Sequence, residues 1–198
     1  MRTTASAAAP RVDRRRIDPV VGAIPVAIGI CGLLVRLQIK SLPPTAEIVA
    51  LGALYGAILA GALLAPTVGQ SGPAPIGRAV AFAVGLAAVS LAAIASGRPP
   101  GVPFSTWAVP LSLLAAVAEE ALFRRAAYGW LARYGVAIAV VGSALLFAAV
   151  HLPFSGVAAL PVDFGAGLLL SWQRWATGTW TVPAATHAAA NLVAVMIR

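Results

Sequence analysis

The chain is 198 residues long, 60% hydrophobic and only 10% charged, with a strongly positive mean hydropathy. Such a composition is far too apolar for a soluble domain of this size, and it excludes a nucleic-acid-binding module in spite of the net charge of +8. A lone cysteine, Cys31, excludes an internal disulfide and any cysteine-rich metal site.

The first 18 residues form an arm of Ala, Ser, Thr, Pro and Arg with a basic cluster at Arg11, Arg14, Arg15 and Arg16. It lacks the apolar centre of a cleavable signal peptide and reads as the positive, cytoplasmic anchor of a first membrane span. Apolar runs then recur at 20–35, 46–65, 79–96, 103–123, 135–150, 158–172 and 180–197. Their lengths approach the roughly 20 residues needed to cross a bilayer, so about seven spans are expected. Backbone groups must be paired inside hydrocarbon, and the alternation of a barrel strand is absent. The expected fold is therefore all-α, a multi-pass transmembrane helical bundle.

A cytoplasmic amino terminus puts Arg2, Arg11, Arg14, Arg15, Arg16, Arg78, Arg133 and Arg174 inside, against Arg36, Lys40, Arg98 and Arg198 outside. That asymmetry supports the orientation. Residues 19–103 carry few polar side chains and read as scaffold helices. Residues 104–198 hold Glu119, Glu120, Arg124, His151, Asp163, His187 and Asn191, including both histidines of the chain. Small residues, Gly142 with Ala139 and Gly165 with Gly167, mark faces for close helix approach.

Charged groups in a bilayer need partners, because each costs at least about 2.5 to 3.5 kcal/mol near the centre. Glu120 precedes Arg124 by one helical turn, the favourable order for an ion pair. Glu119, about 100° further around the helix, is left to face something else. A turn near Gly135 would fold the next helix back and bring His151 to the depth of Glu119, with Phe147 walling the space. His187 and Asn191 share one face of the last helix.

A glutamate facing a histidine in a pocket of low polarity suits deprotonation of water, and His187 with Asn191 can donate hydrogen bonds to an oxyanion. The cluster therefore reads as hydrolytic. Arg125, Trp130, Trp172, Trp175 and Trp180 read as interface anchors, and Asp163 as a helix cap or mouth residue. His187 lies only a few residues into its helix. Equal depth therefore requires either that 124–134 bends away along the membrane surface, which the arginine pair favours, or that the last helix starts deep.

These residues also resemble a known family. Glu119, Glu120 and Arg124 match an EExxxR motif, Phe147 and His151 an FxxxH motif, and His187 and Asn191 an HxxxN motif, in that order along the chain. The family is the CPBP group of intramembrane endopeptidases, the CAAX proteases and bacteriocin-processing proteins, related to the type II CAAX prenyl endopeptidases. The stretch FGAGLLLSWQRWATGTWTVPAATHAAAN is similar to the segment preceding its last motif, and the resemblance runs from Leu111 to Leu192.

It implies that Glu119 acts as general base on water with His151, that His187 and Asn191 stabilise the oxyanion, and that Glu120, Arg124 and Phe147 support the site. Arg125 departs from the family, where glycine often follows the motif arginine. No cofactor is expected; the alternative is a zinc ion on Glu119, His151 and His187. The expected partners are membrane lipids and a peptide or membrane-protein substrate, without nucleic acid. The Ala, Arg, Gly and Pro bias points to a GC-rich bacterium and hence to a bacterial cell membrane, where a prenylated CAAX substrate does not fit. The other reading is non-catalytic: a proton-coupled transporter or a partner-binding scaffold using the same cluster. A transporter should show inverted repeats, and the first half shows no counterpart of the polar second half.

Overall fold

A computed structural model of the chain describes residues 18–66, 75–96 and 107–196. The basic arm, except Asp18, lies outside the described residues, as does most of the two connectors around α3. Among the described residues there is no strand.

The helices are α1 (Pro19–Ile39), α2 (Pro44–Leu64), α3 (Arg78–Ser96), α4 (Ala108–Glu120), α5 (Tyr128–Leu131), α6 (Val136–Ser155), α7 (Leu160–Thr177) and α8 (Thr181–Met196). Between α4 and α5 the rod does not break but widens into a π-helical segment, Ala121–Ala127. Taken together, α4, the π segment and α5 form one rod, giving seven rods for the expected seven apolar runs. Three of the helices, α1, α2 and α6, are long and apolar enough to cross a membrane by themselves, and the apolar part of α3 is shorter.

Local signals explain where these helices begin and end. Asp18 caps α1 by accepting a hydrogen bond from the Val20 N–H at 2.8 Å, with Pro19 in the first turn where its missing N–H costs nothing. Gly135 at φ 113° and Gly156 at φ 77° bound α6, taking backbone conformations that side-chain-bearing residues rarely adopt.

The distribution of side chains is inverted relative to a soluble protein. Ile28, Val49, Leu64 and Leu91 are exposed, while Glu119, Glu120, Arg124, Ser143, Ser171, Gln173 and Arg174 are buried. An apolar outside around a polar inside is what a bilayer demands. The chain is an all-α helical membrane protein.

The rod of α4 occupies the middle of the bundle, packed against α2 on one side and α8 on another, while α6 lies along α7. Close approach of α6 and α7 depends on Gly167, where a Cβ would come within 3.0 Å of the Ala144 Cα and carbonyl oxygen. Gly142 faces the Leu131 side chain, but a Cβ on Gly165 would meet nothing within 4 Å. Of the two paired-glycine positions expected to pack, only Gly167 does so; Gly165 looks outward.

Candidate active site

Two consecutive carboxylates on α4 diverge toward different helices, as the rotation of about 100° per residue requires. The Glu119 Oε2 lies 3.6 Å from the His151 Nε2 of α6, and its Oε1 lies 3.9 Å from the Arg36 Nη1 of α1. On the Glu120 carboxylate, Oε1 is 3.0 Å from the His187 Nδ1 of α8 and Oε2 is 3.1 Å from the Arg124 Nε. The last contact has ion-pair distance without the directionality of a hydrogen bond.

Arg124 is wholly buried and held in place from several directions. Its Nη2 donates to the Gly167 carbonyl at 3.2 Å, and its guanidinium carbon lies 4.7 Å from the centroid of the Phe147 ring. Arg174 in turn donates from Nε to the Arg124 carbonyl at 3.0 Å. Phe147 stacks on His151 with ring centroids 4.3 Å apart and meets His187 edge-on at 5.8 Å. One phenylalanine thus separates and orients both imidazoles.

The protonation geometry of His151 follows from its second nitrogen. Its Nδ1 lies 2.8 Å from the Phe147 carbonyl oxygen, an acceptor only, so that nitrogen carries the proton and donates. In the neutral ring Nε2 is therefore an acceptor, facing the carboxylate of Glu119. Two acceptors this close call for a donor between or beside them. On α8, Asn191 gives one amide hydrogen to the Ser112 carbonyl of α4 at 3.1 Å, leaving its second N–H uncommitted by that bond.

Glu119, His151, His187 and Asn191 line one cavity of about 530 Å³. His151 and His187 keep 18% and 12% of their side chains exposed and Glu119 keeps 5%, whereas Glu120 keeps none. The first three reach the cavity, and Glu120 acts from behind His187. Among the described residues no three of His, Cys, Asp and Glu are grouped to hold a metal ion. Of Glu119, His151 and His187, the last has its Nδ1 engaged by Glu120.

Several residues fall elsewhere than expected. The segment 124–134 does not bend away along a surface, since Arg124 and residues 126–129 are buried. Trp180, just before α8, is partly buried and packs against the cluster that holds Phe123 and Phe147. Arg125 donates to the carbonyls of Ala62 and Ala65, closing the carboxy-terminal end of α2, where such groups lack partners of their own. Arg174, counted as a cytoplasmic cation, is buried against Tyr128. Asp163 sits in the first turn of α7, consistent with a helix-end role.

Arg36 is the residue that sequence reasoning missed. It appears there as a cation at the end of a span, yet its guanidinium carbon lies over the Phe154 ring, 4.6 Å from the centroid, and its Nη1 lies 3.9 Å from the Glu119 carboxylate. With Lys40 and Tyr55 it lines the same cavity as Glu119. The only available signal was its position one turn before the end of a span otherwise free of charge.

Compared with known protein families, residues 101–193 match the model described as Type II CAAX prenyl endopeptidase Rce1-like. No curated protein and no solved structure matches the chain. The matched stretch contains both glutamates, Arg124, Phe147, both histidines and Asn191; α1, α2 and α3 lie outside it.

Proposed function

The chain belongs to the CAAX-protease-like family through its Rce1-like residues 101–193, and from that premise we propose that it is an intramembrane endopeptidase acting on membrane-proximal peptides or proteins. The observation that carries this reading is the Glu119 Oε2 to His151 Nε2 approach at 3.6 Å, with the His151 Nδ1 committed to the Phe147 carbonyl.

A water donating one hydrogen to Glu119 and the other to His151 presents its lone pairs to the cavity. As it attacks the peptide carbonyl, its proton passes to Glu119 and a tetrahedral oxyanion forms. The oxyanion accepts hydrogen bonds from the second Asn191 N–H and from the His187 Nε2–H. His187 offers that donor when the Glu120–His187 pair retains one proton between Oε1 and Nδ1, which explains a wholly buried carboxylate at its back. Glu119 then returns its proton to the departing amine as the C–N bond breaks, and the carboxylate is regenerated.

We further place the chain in a bacterial cell membrane with its amino terminus cytoplasmic. The support is the charge distribution along the sequence: with the amino terminus inside, Arg2, Arg11, Arg14, Arg15, Arg16, Arg78 and Arg133 fall on cytoplasmic segments, against Arg36, Lys40, Arg98 and Arg198 on the other side. The cavity reaches from Leu51, Tyr55, Glu119 and His187 within the bundle to the opposite end, where Arg36 and Lys40 at the end of α1, Phe154 and Ser155 at the end of α6, Ala194 of α8 and Ala108 of α4 line it. Its mouth then faces away from the cytoplasm.

The test is cleavage of a membrane-proximal peptide library by purified, detergent-solubilised protein, with and without a strong chelator, beside Glu119→Ala. Cleavage that survives the chelator and is lost in Glu119→Ala is the expected result. Loss with the chelator and rescue by zinc would make Glu119 and His151 ligands instead. No cleavage by the wild type across the library would turn the reading toward a non-catalytic membrane protein.

A further inference from the structure

We propose that Gln173 is a positioning residue for His187: its buried side-chain amide, shared between α3 and α8, fixes the rotation of α8 about its own axis and so holds the imidazole against Glu120. The Gln173 Nε2 donates to the Ala81 carbonyl of α3 at 2.8 Å and to the Thr186 hydroxyl of α8 at 2.9 Å. Thr186 is the residue immediately before His187. The consequence for turnover rests on the peptidase reading; the placement of the ring does not.

Among the described residues that line the cavity none belongs to α7, yet α7 carries Ser171, Gln173 and Arg174, all buried. Polar groups are costly there unless they meet partners, and each of these meets one on an element that builds the site. Ser171 pairs with Ser143 of α6 at 2.9 Å, Gln173 with Thr186 of α8, and Arg174 with the Arg124 carbonyl of the π segment at 3.0 Å. Room for the Gln173 amide is made by Gly85 of α3, where a Cβ would collide with the Gln173 Nε2 and lie 2.7 Å from the Thr186 Cγ2. The orientation of the amide is settled by Ala81, because a carbonyl can only accept. Nε2 must therefore face it, and Oε1 is buried without a hydrogen-bond partner among the described residues. The position calls for two donors on one nitrogen.

An amide buried between membrane helices commonly serves as glue. Holding α3 to α7 needs only the bond to Ala81, whereas the bond to Thr186 adds α8 at one particular angle. On that helix Thr186 and His187 point about 100° apart, the first toward Gln173 and the second toward Glu120 of α4. Side chains reach about 5 to 6 Å from a helix axis, so turning α8 by roughly 10° moves the His187 ring by about 1 Å. A misplacement on that scale is enough to slow a reaction about a hundredfold. The bonds of His187 to Glu120 and of Asn191 to Ser112 also hold α8, but they engage groups assigned to the reaction itself. The bond to Thr186 holds the helix from outside the cavity and engages neither.

The experiment uses the full chain in lipid nanodiscs with ¹⁵N-labelled histidine. The chain has two histidines, so NMR reads two sets of ring signals, told apart with His151→Gln. Gln173→Met removes both donors at similar length, Thr186→Val removes the hydroxyl but keeps the branched shape, and Thr186→Ser keeps the hydroxyl. The His187 Nδ1 signal should shift in Gln173→Met and Thr186→Val and stay in place in Thr186→Ser, with the His151 signals unchanged throughout. On a cleaved peptide the first two variants should lose about tenfold to a hundredfold in kcat with KM within about twofold of wild type, and Thr186→Ser should match wild type. An unmoved His187 signal in Gln173→Met and Thr186→Val overturns the proposal. So does a shift of both rings together, which marks general loosening, or a Thr186→Ser that behaves like Thr186→Val. If Gln173→Met does not fold, Thr186→Val decides by the same signals. Should the wild-type chain cleave nothing while the His187 signal responds as expected, the peptidase reading falls and the positioning role stands; cleavage with an unresponsive His187 signal does the reverse.

Discussion

Glu120 and His187 lie 67 positions apart in sequence and meet at 3.0 Å, carboxylate Oε1 to ring Nδ1. The contact ties the last helix to the central rod, and the opposite oxygen of the same carboxylate faces the buried Arg124 at 3.1 Å. Glu120→Gln would leave Arg124 without its counter-charge in a site closed to water, at a cost of about 3 kcal/mol or more. Thermal melting in detergent should therefore fall sharply in Glu120→Gln and recover in part in Glu120→Gln with Arg124→Met, which removes the stranded charge. A double variant that melts lower than the single one would mean that Arg124 matters for its bond to Gly167 more than for its charge.

Glu119 and His151 should behave as one unit. Glu119→Gln and His151→Ala are each expected to lower kcat/KM by about 10² to 10⁴, and the combined variant should lose little more than the worse single one. Losses that multiply in the double variant would assign the two residues independent tasks. Melting temperatures near wild type are the accompanying expectation, since both side chains border the cavity.

Asn191→Ala removes the bond to the Ser112 carbonyl together with the second N–H proposed to meet the oxyanion, and Asn191→Asp would change the donor while keeping the side-chain size. The expected effect is a loss of about 10² in kcat with KM little changed. Steady-state kinetics on one cleaved peptide decides this, because a rise in KM at constant kcat would make Asn191 a substrate-binding residue.

Gly167 and Gly165 provide a matched pair. Gly167→Ala drives a Cβ to 3.0 Å from the Ala144 backbone and strains the carbonyl that receives Arg124, at a cost of about 1 to 3 kcal/mol. Gly165→Ala meets nothing within 4 Å and should leave melting unchanged or slightly raised. Equal effects of the two would place the α6–α7 contact elsewhere.

The proposed orientation is open to impermeant thiol labelling of intact cells. With Cys31→Ser as background, Ser41→Cys beside the cavity mouth should label from outside. Tyr134→Cys, exposed at the far end of the bundle, should label only after permeabilisation. The reverse pattern would turn the mouth toward the cytoplasm.

What could be read in the sequence follows from what helical periodicity encodes. The spacing of Glu120 to Arg124, Phe147 to His151 and His187 to Asn191 fixes which side chains share a face; Glu119, His151, His187 and Asn191 line one cavity, while Glu120, Arg124 and Phe147 pack behind it. Periodicity does not say which helices are neighbours. Arg36 consequently resembled an ordinary cation at a membrane boundary, and nothing in α1 announces that its last turn ends beside α4 and α6. The packing of Trp180 against the buried cluster was hidden for the same reason, because a tryptophan satisfies an interface and a core equally well by composition. Arg125 was misread since a carbonyl-capping role depends on where α2 stops, 60 residues earlier in the chain.

The two halves of the sequence differ so much in polarity that the second invites separate study, yet Arg36, Lys40, Leu51 and Tyr55 of α1 and α2 form one side of the cavity. Expressing the chain from α4 onward alone would keep every motif residue and still leave Glu119 bare on that side, open to lipid. Co-expression of the two pieces is then a way to ask how tightly they find each other in the bilayer.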